Sequence, residues 1–146
     1  GASATEDLVQ GLIAACRAMA IEEGWRVAVA VKDIGGNLVA FERMDGAFAK
    51  AGDLALLKAE TASTTPLSTA RMREVVYGRG GAPHGLELTP GVAVFDGGEP
   101  IRDAQGVQIG GLGVSGATSA VDGRCARRAV EAIGSAAAAA PTTDAR

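Results

Sequence analysis

The sequence predicts an α/β protein of the α+β kind, an antiparallel sheet with helices laid against it. Three observations carry that prediction. Apolar residues recur at helical spacing near both ends and in the middle of the chain. Short Val- and Ala-rich runs are separated by brief Gly, Asn and Asp turns. The resulting order, α-β-β-α-(α)-β-β-β-α, lacks the regular alternation of a doubly wound sheet. The 146 residues are 47% apolar and 21% charged, ordinary for a globular chain and incompatible with disorder. One domain over 1–146 is expected, with its core at about 5–134 and a frayed tail after it.

Ser3 and Glu6 have capping-box spacing, and Leu8, Leu12, Cys16 and Met19 form an apolar stripe that Gly24 ends. Residues 26–33 read as a strand covered on both faces. Gly35-Gly36-Asn37 signals a hairpin, with Leu38 to Arg43 as the return strand. A helix is expected over 48–64, and Pro66 suits the first turn of a short helix reaching Tyr77. Residues 78–90, rich in Gly and Pro, read as a surface loop. Three strands follow, at 91–95, 99–102 and 107–114, joined by turns at Asp96-Gly97-Gly98 and 103–106. A last helix from Thr118 or Ser119 carries Val121, Cys125, Ala129, Val130 and Ile133 on one side.

Several function classes are excluded or disfavoured. Fourteen Lys and Arg against 17 Asp and Glu leave a net charge of -3, which argues against nucleic acid as a partner. The five aromatics, Trp25, Phe41, Phe48, Tyr77 and Phe95, are too few for a base-stacking platform. No stretch approaches the ~18 consecutive apolar residues of a membrane helix, so no membrane partner is expected. Cys16 and Cys125 lack zinc or CxxC spacing, and two buried reduced thiols are favoured over a single disulfide. No signal-peptide pattern is visible, so the cytoplasm is the default location; secretion of a processed form is the alternative.

Four groups of residues invite a functional reading beside a structural one. Gly111-Leu-Gly113-Val-Ser-Gly116 is a GxGxxG sequence between a strand and a helix. A dinucleotide site needs a further strand and an acid about 20 residues on, and too little chain follows, so glycines for close packing are the better reading. The helix entrance at Ser115-Gly116 can still favour an anion. Arg43-Met-Asp45-Gly46 is either a surface turn or an anion clamp beside an acid/base group. Lys58, Thr61 and Thr65 share one helix face, which either meets solvent or presents a cation and hydroxyls to a pocket. His84, the sole histidine, lies in the Gly/Pro loop, where exposure competes with a role as acid/base or metal ligand. No separate metal site is expected.

Five segments together resemble the GlcG/HbpS-like family, which includes the C-terminal domain of the PduO proteins. They are Val27-Ala-Val-Ala-Val-Lys-Asp33 with Gly36-Asn-Leu38, Arg43-Met-Asp-Gly-Ala47, Lys58-Ala-Glu-Thr-Ala62, Gly97-Gly-Glu-Pro-Ile101, and 107–116 followed by Asp122. The chain departs from the family at Val121-Asp122-Gly123, where members often read Gln-Asp-Glu. The resemblance implies a profilin-like sandwich, an antiparallel sheet of about five strands flanked by helices, and a homo-oligomer. It also implies haem binding or haem degradation in some members. Haem is compatible with this chain, with His84 as its only good axial ligand and Arg43 and Lys58 near propionates, but is not compelled.

The expected function is therefore binding of a small anionic molecule, haem or another tetrapyrrole included, with no cofactor certain. The expected pocket is made by Arg43, Asp45, Lys58, Thr61, Gly97, Gly98, Ser115 and Gly116. Two alternatives stand beside it. One is a cofactor-free isomerase, lyase or cyclase using Asp45 or His84. The other is an oligomeric sensor-accessory or partner-binding protein.

Overall fold

The computed structural model describes residues 2–78 and 85–139. Helix α1 (Ala2–Glu23) leads into the hairpin of strands β1 (Ala28–Asp33) and β2 (Leu38–Arg43). Helices α2 (Ala49–Thr64) and α3 (Thr69–Tyr77) follow, then strands β3 (Gly98–Arg102) and β4 (Gln108–Ser115), and helix α4 (Ser119–Ala139) closes the order. All strand pairs are antiparallel, and the sheet order is β2-β1-β4-β3. The expected sheet with flanking helices is therefore present, in four strands rather than five.

The missing strand is 91–95. Two of its backbone groups are bonded by a side chain instead of a neighbouring strand: Thr61 Oγ1 accepts the Ala93 N–H at 2.7 Å and donates to Gly91 O at 2.9 Å. Three boundaries also differ. Helix α1 begins at Ala2, so Ser3 lies within it and not at its cap. Helix α3 is capped by Ser68, whose hydroxyl accepts the Arg71 N–H at 3.1 Å, leaving Pro66 in the link ahead of it. Helix α4 continues to Ala139, beyond the point where fraying was expected.

The sheet is covered on both sides, and its central strand shows why. Val27, Val29 and Val31 join Leu12, Cys16, Leu112, Val114, Cys125 and Ala129 in one core shared with α1 and α4. Ala28 and Ala30 face the other way, against Ala51, Ala55 and Ala59 of α2. Large side chains thus fill one layer and methyl groups the other. Burying a side chain such as Leu12 or Leu112 contributes about 1.5–3 kcal/mol; the alanine layer contributes less per residue but permits close approach.

That approach explains the GxGxxG segment. A Cβ on Gly113 would collide with the backbone of Ala55 and sit 2.6 Å from Ala59 N; on Gly111 it would sit 2.6 Å from the Ala62 carbonyl carbon. Helix α2 lies directly on the bare strand β4. At the far end of that contact, Gln108 Nε2 donates to Ala62 O at 2.8 Å and Thr65 O at 2.7 Å, satisfying carbonyls that the helix end leaves free.

Both cysteines are free thiols in the α1–α4 core, as favoured from the sequence. Among the described residues no helix is long and apolar enough to cross a membrane, and no group of His, Cys, Asp and Glu could hold a metal ion.

Candidate functional site

Six of the expected site residues meet where α2, β4 and the start of α4 join. Lys58 points inward from α2 and is only 1% exposed. Its ammonium donates to Val114 O at 2.9 Å and to Asp122 Oδ2 at 3.2 Å, and stands 5.1 Å from the centre of the Phe95 ring. Asp122, in the first turn of α4, also accepts the Ala117 N–H at 2.9 Å through Oδ1. Burial works against both charges, lowering the Lys58 pKa and raising that of Asp122, and each charge opposes the loss of the other.

The glycines around Lys58 leave no room for a side chain. A Cβ on Gly97 would lie 2.7 Å from Lys58 Nζ, and one on Gly98 would lie 2.6 Å from Lys58 O. The Gly98 N–H is already given to Thr69 Oγ1 at 2.9 Å. Ser115 is buried at the end of β4, and Gly116 passes against the Arg26 backbone with a φ of 139°. Thr61 bridges α2 to 91–93 as described, and Thr65 lies beyond the end of α2, donating to Thr61 O at 2.7 Å.

This junction holds only part of the expected pocket. Lys58, Thr61, Gly97, Gly98, Ser115 and Gly116 do come together, but as packed interior whose polar groups bond one another. Lys58 is not a solvated face: its ammonium is buried and held by Val114 O and Asp122. Asp122 was legible in the family segment, yet its role as the counter-charge of Lys58 was not. The two are 64 positions apart, and no local spacing links them.

Arg43 and Asp45 lie elsewhere. They line a cleft of about 430 Å³ where the end of β2 meets the end of α1, together with Arg17, Ile21, Arg26, Glu42 and Met44. Arg17 pairs with Glu42. Arg26 donates to Trp25 O at 3.2 Å. Arg43 is exposed and, among the described residues, has no ion-pair partner. Three guanidiniums thus border one cleft, against two carboxylates of which one is engaged. Arg17 and Arg26 were missed from the sequence. Arg17 and Ile21 are one helical turn apart, but only the β-hairpin end brings Arg43 to them.

His84 lies outside the described residues. The other haem-ligand types are poorly placed. Cys16 and Cys125 are in the core, where burial pushes both thiols up and disfavours the thiolate. Tyr77 is half-exposed on α3, and Met44 is the only such side chain lining the Arg43 cleft, with its bulk turned into the core. Among the residues lining the Arg43 cleft, Met44 is thus the one side chain of a haem-ligand type.

Comparison with known proteins gives consistent results. Residues 5–131 match the family model described as haem degrading protein HbpS-like. An uncharacterized 15.0 kDa protein of Citrobacter freundii, from the dhaT-dhaS intergenic region, is 36% identical over 119 residues, 80% of this chain and 82% of that one. The crystal structure of Klebsiella pneumoniae protein ORFY superposes with a TM-score of 0.80 at 32% identity, over 87% of this chain and 88% of that one. A PduOC:haem complex superposes with a TM-score of 0.79, also at 32% identity, over 86% and 91%.

Proposed function

The chain belongs to the HbpS-like family, and on that premise we propose that it binds a small anionic molecule in the Arg43 cleft. The observation that carries the proposal is Arg43 itself, an exposed guanidinium without an acidic partner among the described residues, beside Arg17 and Arg26 in one cleft. A carboxylate arriving there gains charge-assisted hydrogen bonds of about 1.5–3 kcal/mol each. The family description and the haem-bound PduOC relative support a tetrapyrrole as the finer reading, held through its propionates. Asp45 orients the ligand by repelling a second anionic group from its side of the rim.

The enzymatic reading has less behind it. Asp45 is exposed and, among the described residues, takes no side-chain hydrogen bond that would aim it as a base. Assembly into a homo-oligomer is part of the same proposal, supported by the apolar surface around β2.

Calorimetry on the full chain measures binding directly. Titration with haemin, metal-free protoporphyrin and a small dicarboxylate separates iron, ring and carboxylate contributions. Arg43→Ala is expected to weaken every ligand that binds by roughly 10- to 100-fold, while Lys50→Ala, at an exposed position on α2 outside the cleft, does not. Equal affinity in wild type, Arg43→Ala and Arg26→Ala would return the cleft to plain surface.

A further inference from the structure

A second groove, of about 500 Å³, runs beside the edge strand β3. Its apolar side is made by Leu67, Pro100 and Val130, and its charged side by Glu99, Arg71 and Arg102. The Glu99 carboxyl is half-buried and, among the described residues, accepts no hydrogen bond. The two arginines are only loosely held. Arg71 pairs with Glu74 on the exposed face of α3 at 2.7 Å, and Arg102 reaches Gly106 O at 3.3 Å. An exposed i,i+3 pair of that kind contributes only a few tenths of a kcal/mol, so Arg71 is free to take another partner.

These charges select their ligand. A simple anion meets Arg71 and Arg102 but also the Glu99 and Asp103 carboxylates on the groove wall. A simple cation meets the reverse. We propose that the groove binds a small zwitterion with an apolar body, of the class of an aliphatic α-amino acid. Its ammonium lies against Glu99, its carboxylate against Arg102 and Arg71, and its hydrocarbon on Leu67, Pro100 and Val130. This inference is independent of the Arg43 cleft, since the two sites share no lining residue.

The surroundings of Glu99 add a testable pH dependence. Its pKa is raised to about 7, first by burial, which Arg127 of α4 opposes and which Asp96 and Glu131 reinforce. Asp96 is partly compensated by Arg73 of α3, 3.1 Å away. An ammonium beside Glu99 favours its ionised form, so binding strengthens as the pH rises through that value.

The test is calorimetry on the full chain with leucine, leucinol, which lacks the carboxylate, and 4-methylpentanoate, which lacks the ammonium. Leucine is expected to bind at least tenfold more tightly than either analogue, and about tenfold more tightly at about pH 8 than at about pH 6. Glu99→Gln should weaken leucine and flatten that pH dependence, with thermal melting confirming the fold. Arg102→Gln, at an exposed position, should weaken leucine and leave leucinol unchanged. Absence of leucine binding at millimolar concentration, or 4-methylpentanoate binding as tightly as leucine, would overturn the proposal.

Discussion

Removing the Lys58 ammonium leaves the Asp122 carboxylate buried beside Val114 O without its counter-charge. Breaking one partner of such a pair costs about 3–5 kcal/mol. Lys58→Ala is therefore expected to lose that much in urea unfolding, and Lys58→Met with Asp122→Asn to recover a large part of it. A solvated lysine would instead change stability by less than about 0.5 kcal/mol. Glu99 adds a pH dependence of known sign. Its folded pKa of about 7 exceeds its ordinary value of 4.5, so its contribution is complete below 4.5 and is lost as the pH rises through 7. Partial exposure reduces the effect, and stability should fall by about 2 kcal/mol across that window. Glu99→Gln, neutral throughout, should flatten the decline; equal slopes in both proteins would contradict it. Both carboxyls lie in segments singled out from the sequence, but their burial was not legible, because it depends on which distant element covers them.

Helix α2 and strand β4 form the tightest junction in the fold, and their glycines are specific in what they accommodate. Gly113→Ala drives a methyl group into the Ala55 carbonyl, a backbone group that cannot rotate away. Displacing a whole helix costs about 3 kcal/mol or more, and the expected result is a protein with a markedly lower melting temperature. The same geometry fills the faces of Gly111 and Gly113 with α2, where a pyrophosphate would have to lie. The helices, the hairpin and β4 were legible because their periodicities are local. Residues 91–95 were not, although they carry the same apolar pattern as a strand. Their hydrogen bonds were settled by the Thr61 hydroxyl, a group some 30 positions earlier whose direction no pattern of neighbours records.

The sheet is closed off by helices over both faces, yet β2 at its edge remains apolar and open. Leu38, Val39 and Phe41 are each more than 40% exposed, with Ile34 and Phe48 close by in sequence and likewise exposed. An unprotected edge strand with such side chains is a template for association. Light scattering at micromolar concentration should give a mass of at least two chains, and Phe41→Lys should reduce it. A stable monomer in the wild type would contradict the expectation. Most of the elements could be inferred from local patterning, but the pocket could not. Arg43 and Lys58 are near in sequence, and the sheet sends one to an exposed edge and the other into the interior.

The second half of α2 is attached to β4 in three ways: Lys58 to Val114, the bare glycines against Ala55, Ala59 and Ala62, and Gln108 to the last carbonyls of the helix. A helix fastened through its last turns cannot loosen at its C-terminal tip while the strand beneath stays shut. Helix and strand must therefore open together, as one cooperative unit. Amide exchange should reveal this. The N–H groups of α2, including those near Thr64, should exchange with deuterium at the slow rate of β4, without the gradient toward a frayed end that an unattached helix displays.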